Sequence, residues 1–166
     1  MGRMALFKRP DRSILDGLRE ALGGNPTVLA HGTGDGVVLL GTKEHLARRV
    51  GEAWQVWPWE QVASGSWNGE ASSFRWKTID GEKFEALLKE PGQLPMLFRE
   101  RVQASTLVTT VIEATRGQVQ VIGRRGLGDD GTVHWYAVPS GGADLNEPAT
   151  RAAVVAETDR LQANYL

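Results

Sequence analysis

Between Gly36 and Gly81 the chain reads as a string of short strands, and five of the six tryptophans of this 166-residue sequence fall inside it. Val37-Val38-Leu39-Leu40 is an apolar run of strand length ended by Gly41-Thr42. Ala53 to Pro58, roughly Ala63 to Trp67, and Ser72 to Thr78 follow as further strands, divided by polar or glycine-containing turns. Side chains alternate across a strand, so Trp54 and Val56 share one face and Trp57 takes the other. The indoles therefore cannot all enter one core. Phe74, Trp76 and Thr78 share a face, with Arg75 and Lys77 opposite.

Helical periodicity flanks this region. Ser13 to Leu22 places Ile14, Leu15, Leu18, Ala21 and Leu22 on one stripe, with Ser13 and Asp16 spaced as a capping box and Gly23-Gly24 as the stop. Thr27 to Ala30 reads as a strand joined to Val37–Leu40 by a glycine-rich turn, His31-Gly32-Thr33-Gly34-Asp35-Gly36. Lys43 to Val50 fits either a short helix or an edge strand with Leu46 inward, and Glu82 to Leu88 fits strand or helix. Leu94 to Ser105 is helical, with Leu94, Leu97, Phe98 and Val102 on one side. Strands at Leu107–Ile112, Gln118–Ile122 and Val133–Val138 precede a last helix from Asn146 to about Gln162, where Pro148 suits a first turn. The expected class is α+β: a strongly bent antiparallel sheet or partly open barrel, with an N-terminal helix and a C-terminal capping helix. The expected organisation is an arm and helix at 1–24 and one domain at 25–166.

Composition narrows the functional classes. At 41% hydrophobic residues, a chain of this length can bury about 70% of its unfolded surface and needs no staples. A formal net charge of −1 supplies no global field for nucleic acid. The absence of cysteine removes disulfides, thiolate catalysis and Cys-ligated zinc, and suits a reducing compartment. No run approaches the roughly 18 apolar residues of a membrane helix. The apolar stretch within Met1–Pro10 is too short for a signal peptide. A cytoplasmic protein is expected, without membrane contact.

Leu39-Leu40-Gly41-Thr42, Pro58-Trp59-Glu60-Gln61-Val62 and Phe74-Arg75-Trp76-Lys77-Thr78 resemble the front half of bacterial pleckstrin-homology-like domains. There too an apolar strand ends in a Thr break, and a Trp-Glu-x-Val stretch precedes a polar turn and the next strand. Arg99-Glu100-Arg101-Val102-Gln103-Ala104-Ser105, Gly123-Arg124-Arg125 and His134-Trp135 resemble small uncharacterised actinobacterial proteins. The resemblance implies a bent antiparallel sheet capped at one end by the last helix, and a domain that binds proteins or lipids without catalysis. The basic cluster of phosphoinositide-binding members is missing, since the loop after the first strand, His31 to Gly36, holds no Lys or Arg.

The chemistry candidates are few. Gly32-x-Gly34-x-Gly36 leads into a strand and not a helix, so it reads as a hairpin turn rather than a dinucleotide fingerprint. His31, His45 and His134 lie in separate elements without metal-ligand spacing, and no metal or cofactor is expected. Ser64-Gly65-Ser66 and Ser140-Gly141-Gly142 do not match a nucleophile elbow, and Asp129-Asp130 reads as a solvated turn. Two binding surfaces remain. Trp57 beside Pro58 reads as an exposed anchor at a sheet edge, suited to a protein partner or a second copy of the chain. Arg124 and Arg125 form the best basic pair. They would serve the alternative, a small anionic ligand or lipid head group at the barrel mouth, or else make local ion pairs with Glu100, Asp129 or Asp130. The expected function is therefore a non-enzymatic binding or adaptor domain.

Overall fold

The computed structural model describes residues 9–129 and 131–166; the arm at 1–8 and Asp130 lie outside the described residues. The chain divides into two compact units. One holds the residues up to Ala104 together with the segment 126–129; the other comprises Ser105–Arg125 and Gly131–Leu166. Sequence reading set 1–24 apart from the rest. In the structure the first helix belongs to the first unit, and the division falls at Ser105.

In the first unit, α1 (Arg12–Leu22) precedes four antiparallel strands in sequential order, β1 (Ala30–Gly34), β2 (Val37–Gly41), β3 (His45–Val50) and β4 (Ala53–Pro58). A short 3-10 turn, Trp59–Gln61, leads to a second antiparallel sheet of β5 (Val62–Asn68), β6 (Ser73–Thr78) and β7 (Lys83–Leu87), and then to α2 (Leu94–Ser105). Within the two ambiguous segments, His45–Val50 is an inner strand with Leu46 fully buried, and Lys83–Leu87 is a strand. Ser13 does not cap α1. Asp11 takes that position, and its carbonyl accepts from the Ile14 and Leu15 amides.

The apolar run at 37–40 serves both faces of the first sheet. Leu39 joins Leu46, Trp59, Phe74, Trp76, Leu94 and Phe98 in the core shared with the second sheet and α2, while Val38 and Leu40 face Ile14 and Leu18 of α1. A strand buried on both sides needs hydrophobic residues at consecutive positions, and that is what the sequence has there.

The glycine-rich stretch differs from the turn expected. His31 to Gly34 continue β1, and the turn is confined to Asp35 and Gly36. The reason is backbone proximity: a Cβ on Gly34 would collide with the Leu87 carbonyl. This close pass lets Thr33 and Glu90 exchange two backbone hydrogen bonds, of 2.8 and 3.0 Å, bridging β1 to the segment after β7.

In the second unit, β8 (Thr106–Glu113), β9 (Gln118–Arg125) and β10 (Val133–Ser140) form an antiparallel sheet, and α3 (Pro148–Tyr165) packs on β8 and β9. Val119, Val121 and Leu161 are its most deeply buried apolar residues. The architecture is α+β with antiparallel pairing throughout, as expected, but in three separate sheets and without a closed barrel. The helix that follows the second sheet is α2; α3, expected to cap the bent sheet, lies on the sheet of the second unit.

Candidate functional site

β5 is an outer strand, and among the described residues its one strand neighbour is β6. Its sequence, Val62-Ala63-Ser64-Gly65-Ser66-Trp67-Asn68, contains no charge and no proline. Outer strands that remain solitary are usually blunted by lysine, proline or strong bulging, because their free N–H and C=O groups form a template for another chain. Here a register shift between Val62 and Ser64 is the one irregularity, and Ser64, Gly65 and Ser66 lie open to solvent beyond it.

Beside that edge runs α2. Its buried side is anchored by Leu94 and Phe98, with the Phe98 ring centroid 4.8 Å from Phe74 and 5.6 Å from Trp59. The ring also lies against Gly65, where a Cβ would come within 2.5 Å of it. Between β5 and α2 lies a groove of about 490 Å³, lined by Phe74, Phe98, Trp67, Met96, Val102 and Arg99. Met96 is 71% exposed, an unbranched apolar side chain open to solvent beside a free strand edge.

The opposite face of the β5–β6–β7 sheet carries a second depression, of about 540 Å³. Strand register places Ser66, Arg75 and Glu85 in one cross-strand row and Ser64, Lys77 and Lys83 in another. Glu85 is engaged: Ser73 Oγ donates to it at 2.7 Å and Arg75 Nε at 2.8 Å. The Ser73 hydrogen bond, followed by that from Arg75, holds the Glu85 carboxyl below its usual range. Lys77 and Lys83 stand directly opposite each other, an unfavourable pairing for like charges.

The residues singled out from sequence fall elsewhere. Trp57 is half-buried, not exposed. Its ring lies edge-on to Trp76 at 5.8 Å and against Phe84 at 4.9 Å. Trp54 does take the other face, packing beside α1. Trp57 is therefore a margin of the core, and the expectation of a free indole anchor is corrected: Trp76 and Phe84 arrive from the second sheet and cover it. Pro58 ends β4, which is an outer strand of its sheet.

Arg124 and Arg125 do not act together. They alternate across β9, leaving Arg125 exposed and Arg124 only 1% exposed. Arg124 Nε and Nη2 donate to Ser105 Oγ, the former at 2.8 Å, and Nη1 donates to the Tyr136 hydroxyl at 3.2 Å. A guanidinium held in this way organises the interior of its unit and cannot form half of a surface anion grip.

Sequence reading passed over Arg48. Its guanidinium carbon lies 5.0 Å from the Phe84 ring centroid and 5.9 Å from that of Trp76, and Nη2 donates to Gln55 Oε1. Its Nε and the indole Nε1 of Trp76 are buried without a hydrogen-bond partner. Burial lowers the Arg48 pKa from its ordinary value. The signal was present in the register, since Arg48 follows Leu46 by two residues on the inner face of β3.

Among the described residues, no group of three His, Asp or Glu side chains comes together as a metal site, and no helix is long and apolar enough to cross a membrane. Comparison with protein-family models, with curated proteins and with solved structures returned no match.

Proposed function

We propose that the first unit is a pleckstrin-homology-like binding domain that takes up an extended protein segment along β5 and catalyses no reaction. The support for the reading is that four antiparallel strands, three antiparallel strands and a helix follow one another in the first unit, with α2 taking the part of the capping helix that the resemblance implies. The observation that carries the reading is the open, uncharged edge of β5 beside an apolar groove of about 490 Å³. Main-chain hydrogen bonds to such an edge supply affinity, and pockets for alternate side chains supply selectivity. A partner residue paired opposite Gly65 would point toward Phe98 and Met96, because directly opposed residues share a sheet face.

The test is selection of displayed peptides against the whole chain, followed by amide-shift mapping. Selected peptides should perturb β5 and α2, and Met96→Asp, at an exposed position, should abolish binding while leaving the melting temperature near wild type. Perturbation centred on β4 or α3, or no selected binder at all, would overturn the assignment.

A second reading rests on Arg48, a guanidinium stacked on two aromatic rings, with a buried Nε lacking a partner. It suits a small anionic ligand at the mouth between the two sheets. Benzoate or phosphate raising the melting temperature of wild type but not of Arg48→Met would support it; equal responses would dismiss it.

A further inference from the structure

The groove beside α2 and the depression on the outer face of the second sheet share Ser64, Gly65 and Ser66 of β5. A segment added to the free edge of β5 would therefore lie along both. Its residues alternate, as in any strand. The one opposite Gly65 faces the apolar groove; those opposite Ser64 and Ser66 face the outer side, at the open ends of the rows Ser64–Lys77–Lys83 and Ser66–Arg75–Glu85.

Those rows are unusual in shape and charge. The serines are too short to screen the cations behind them. Neighbouring strands lie about 4.8 Å apart, so Lys77 on β6 is separated from an added strand by β5 alone. The added strand is two spacings, about 9.6 Å, from β6, so a lysine leaning over Ser64 meets a carboxylate that reaches back from the added strand. Arg75 is occupied by Glu85, at 2.8 Å, but Lys77 and Lys83 face each other with no carboxylate in the pair. On the groove side, Arg99 adds another cation to the lining.

Resting on the β5 reading, we infer that the segment taken up there is acidic: an extended stretch alternating apolar residues, which enter the groove against Phe98 and Met96, with Asp or Glu, which fall beside Lys77 on the outer face. Added carboxylates would relieve the Lys77–Lys83 opposition as well as making contacts of their own. Each exposed ion pair contributes little, so the charge sets preference and register rather than the whole affinity.

The probes are two blocked seven-residue peptides alternating Val or Leu with Glu in one and with Gln in the other. Binding to the full chain is followed by calorimetry and by amide shifts in roughly 20 mM and 500 mM sodium chloride, where screening differs strongly. The Glu peptide should bind roughly fivefold more tightly at low salt. That preference should vanish at high salt and in the Lys77→Gln, Lys83→Gln double variant, while the Gln peptide binds wild type and variant alike. If both peptides shift β5 amides with equal affinity, the groove stands and the acidic preference is overturned. If neither shifts β5, the groove reading itself falls. If inorganic phosphate alone shifts Lys77 and Lys83 resonances and the Glu peptide gains nothing over Gln, the cations serve a free anion and the inference is again overturned.

Discussion

β4 and β5 are consecutive strands joined by a single short turn, and each is an outer strand of its sheet, yet they use their edges differently. β4 carries Trp54, Val56 and Trp57, and these are drawn into packing on both faces, against α1 on one side and against Trp76 and Phe84 on the other. β5 carries Ser64, Gly65 and Ser66, which have no large side chain to bury; Phe98 lies against Gly65, and all three remain exposed. Large apolar residues attract attention as binding anchors, but in a two-sheet unit of this size they are consumed by the core. On the reading proposed above, the place for a partner is where the chain is small and uncharged.

Truncating the aromatic cluster gives the largest expected effect. Trp76, 3% exposed, should cost roughly 3–5 kcal/mol as Trp76→Ala in urea unfolding, and Trp57→Ala about 2 kcal/mol because its ring is only half-buried. A Trp57→Ala variant as stable as wild type would return that indole to the surface and erase the contrast between the strands. Gly65→Val sharpens the other side of it. The new side chain must displace the Phe98 ring, costing roughly 1–3 kcal/mol of overpacking. It should also fill the groove, so that peptide binding falls more than stability. If binding survives Gly65→Val intact, the partner does not enter between β5 and α2.

The smallest effect concerns Glu85, which closes the outer row beside β5. Its folded-state pKa is depressed, chiefly by the Ser73 hydroxyl and then by Arg75. The stabilisation is therefore present above the unfolded pKa, about 4.3, and is lost as pH falls through the lower folded value. Glu85→Gln should remove this dependence by lowering stability slightly at neutral pH and leaving it unchanged at acid pH, where the wild-type carboxyl is already protonated, and carbon-detected titration of the wild-type carboxyl should give a midpoint below the ordinary glutamate value. A midpoint at or above that value would show the Ser73 and Arg75 contacts to be absent in solution.

Much of this fold is legible in the sequence because local rules and tertiary demands agree. Ala53–Pro58 and Leu94–Ser105 begin and end where alternation and helical periodicity place them. Phe74, Trp76 and Thr78 take the buried face of β6 as their spacing requires. His31 to Gly34 was misread because glycine marks both a turn and a close backbone approach, and only the position of Leu87 distinguishes the two. Arg124 was misread for a related reason: charge normally implies exposure, and its burial depends on Ser105 and Tyr136, which lie in other strands or at a helix end. The β5 groove left almost no trace, since its signature is the lack of large or charged side chains beside a helix that the linear pattern does not position.

Strand order carries a consequence for how the chain assembles. In each sheet every hydrogen-bonded neighbour is also the next strand in sequence. Hairpins of this kind close short loops, so little chain entropy is lost before contacts form, and each sheet can zip up soon after its last strand leaves the ribosome. The Thr33–Glu90 bridge is different. It joins distant parts of the chain through two hydrogen bonds and must wait until β7 has been made. Its amides should therefore be the late-protected ones in pulse-labelled exchange during refolding, the seam that closes after the sheets on either side are already built.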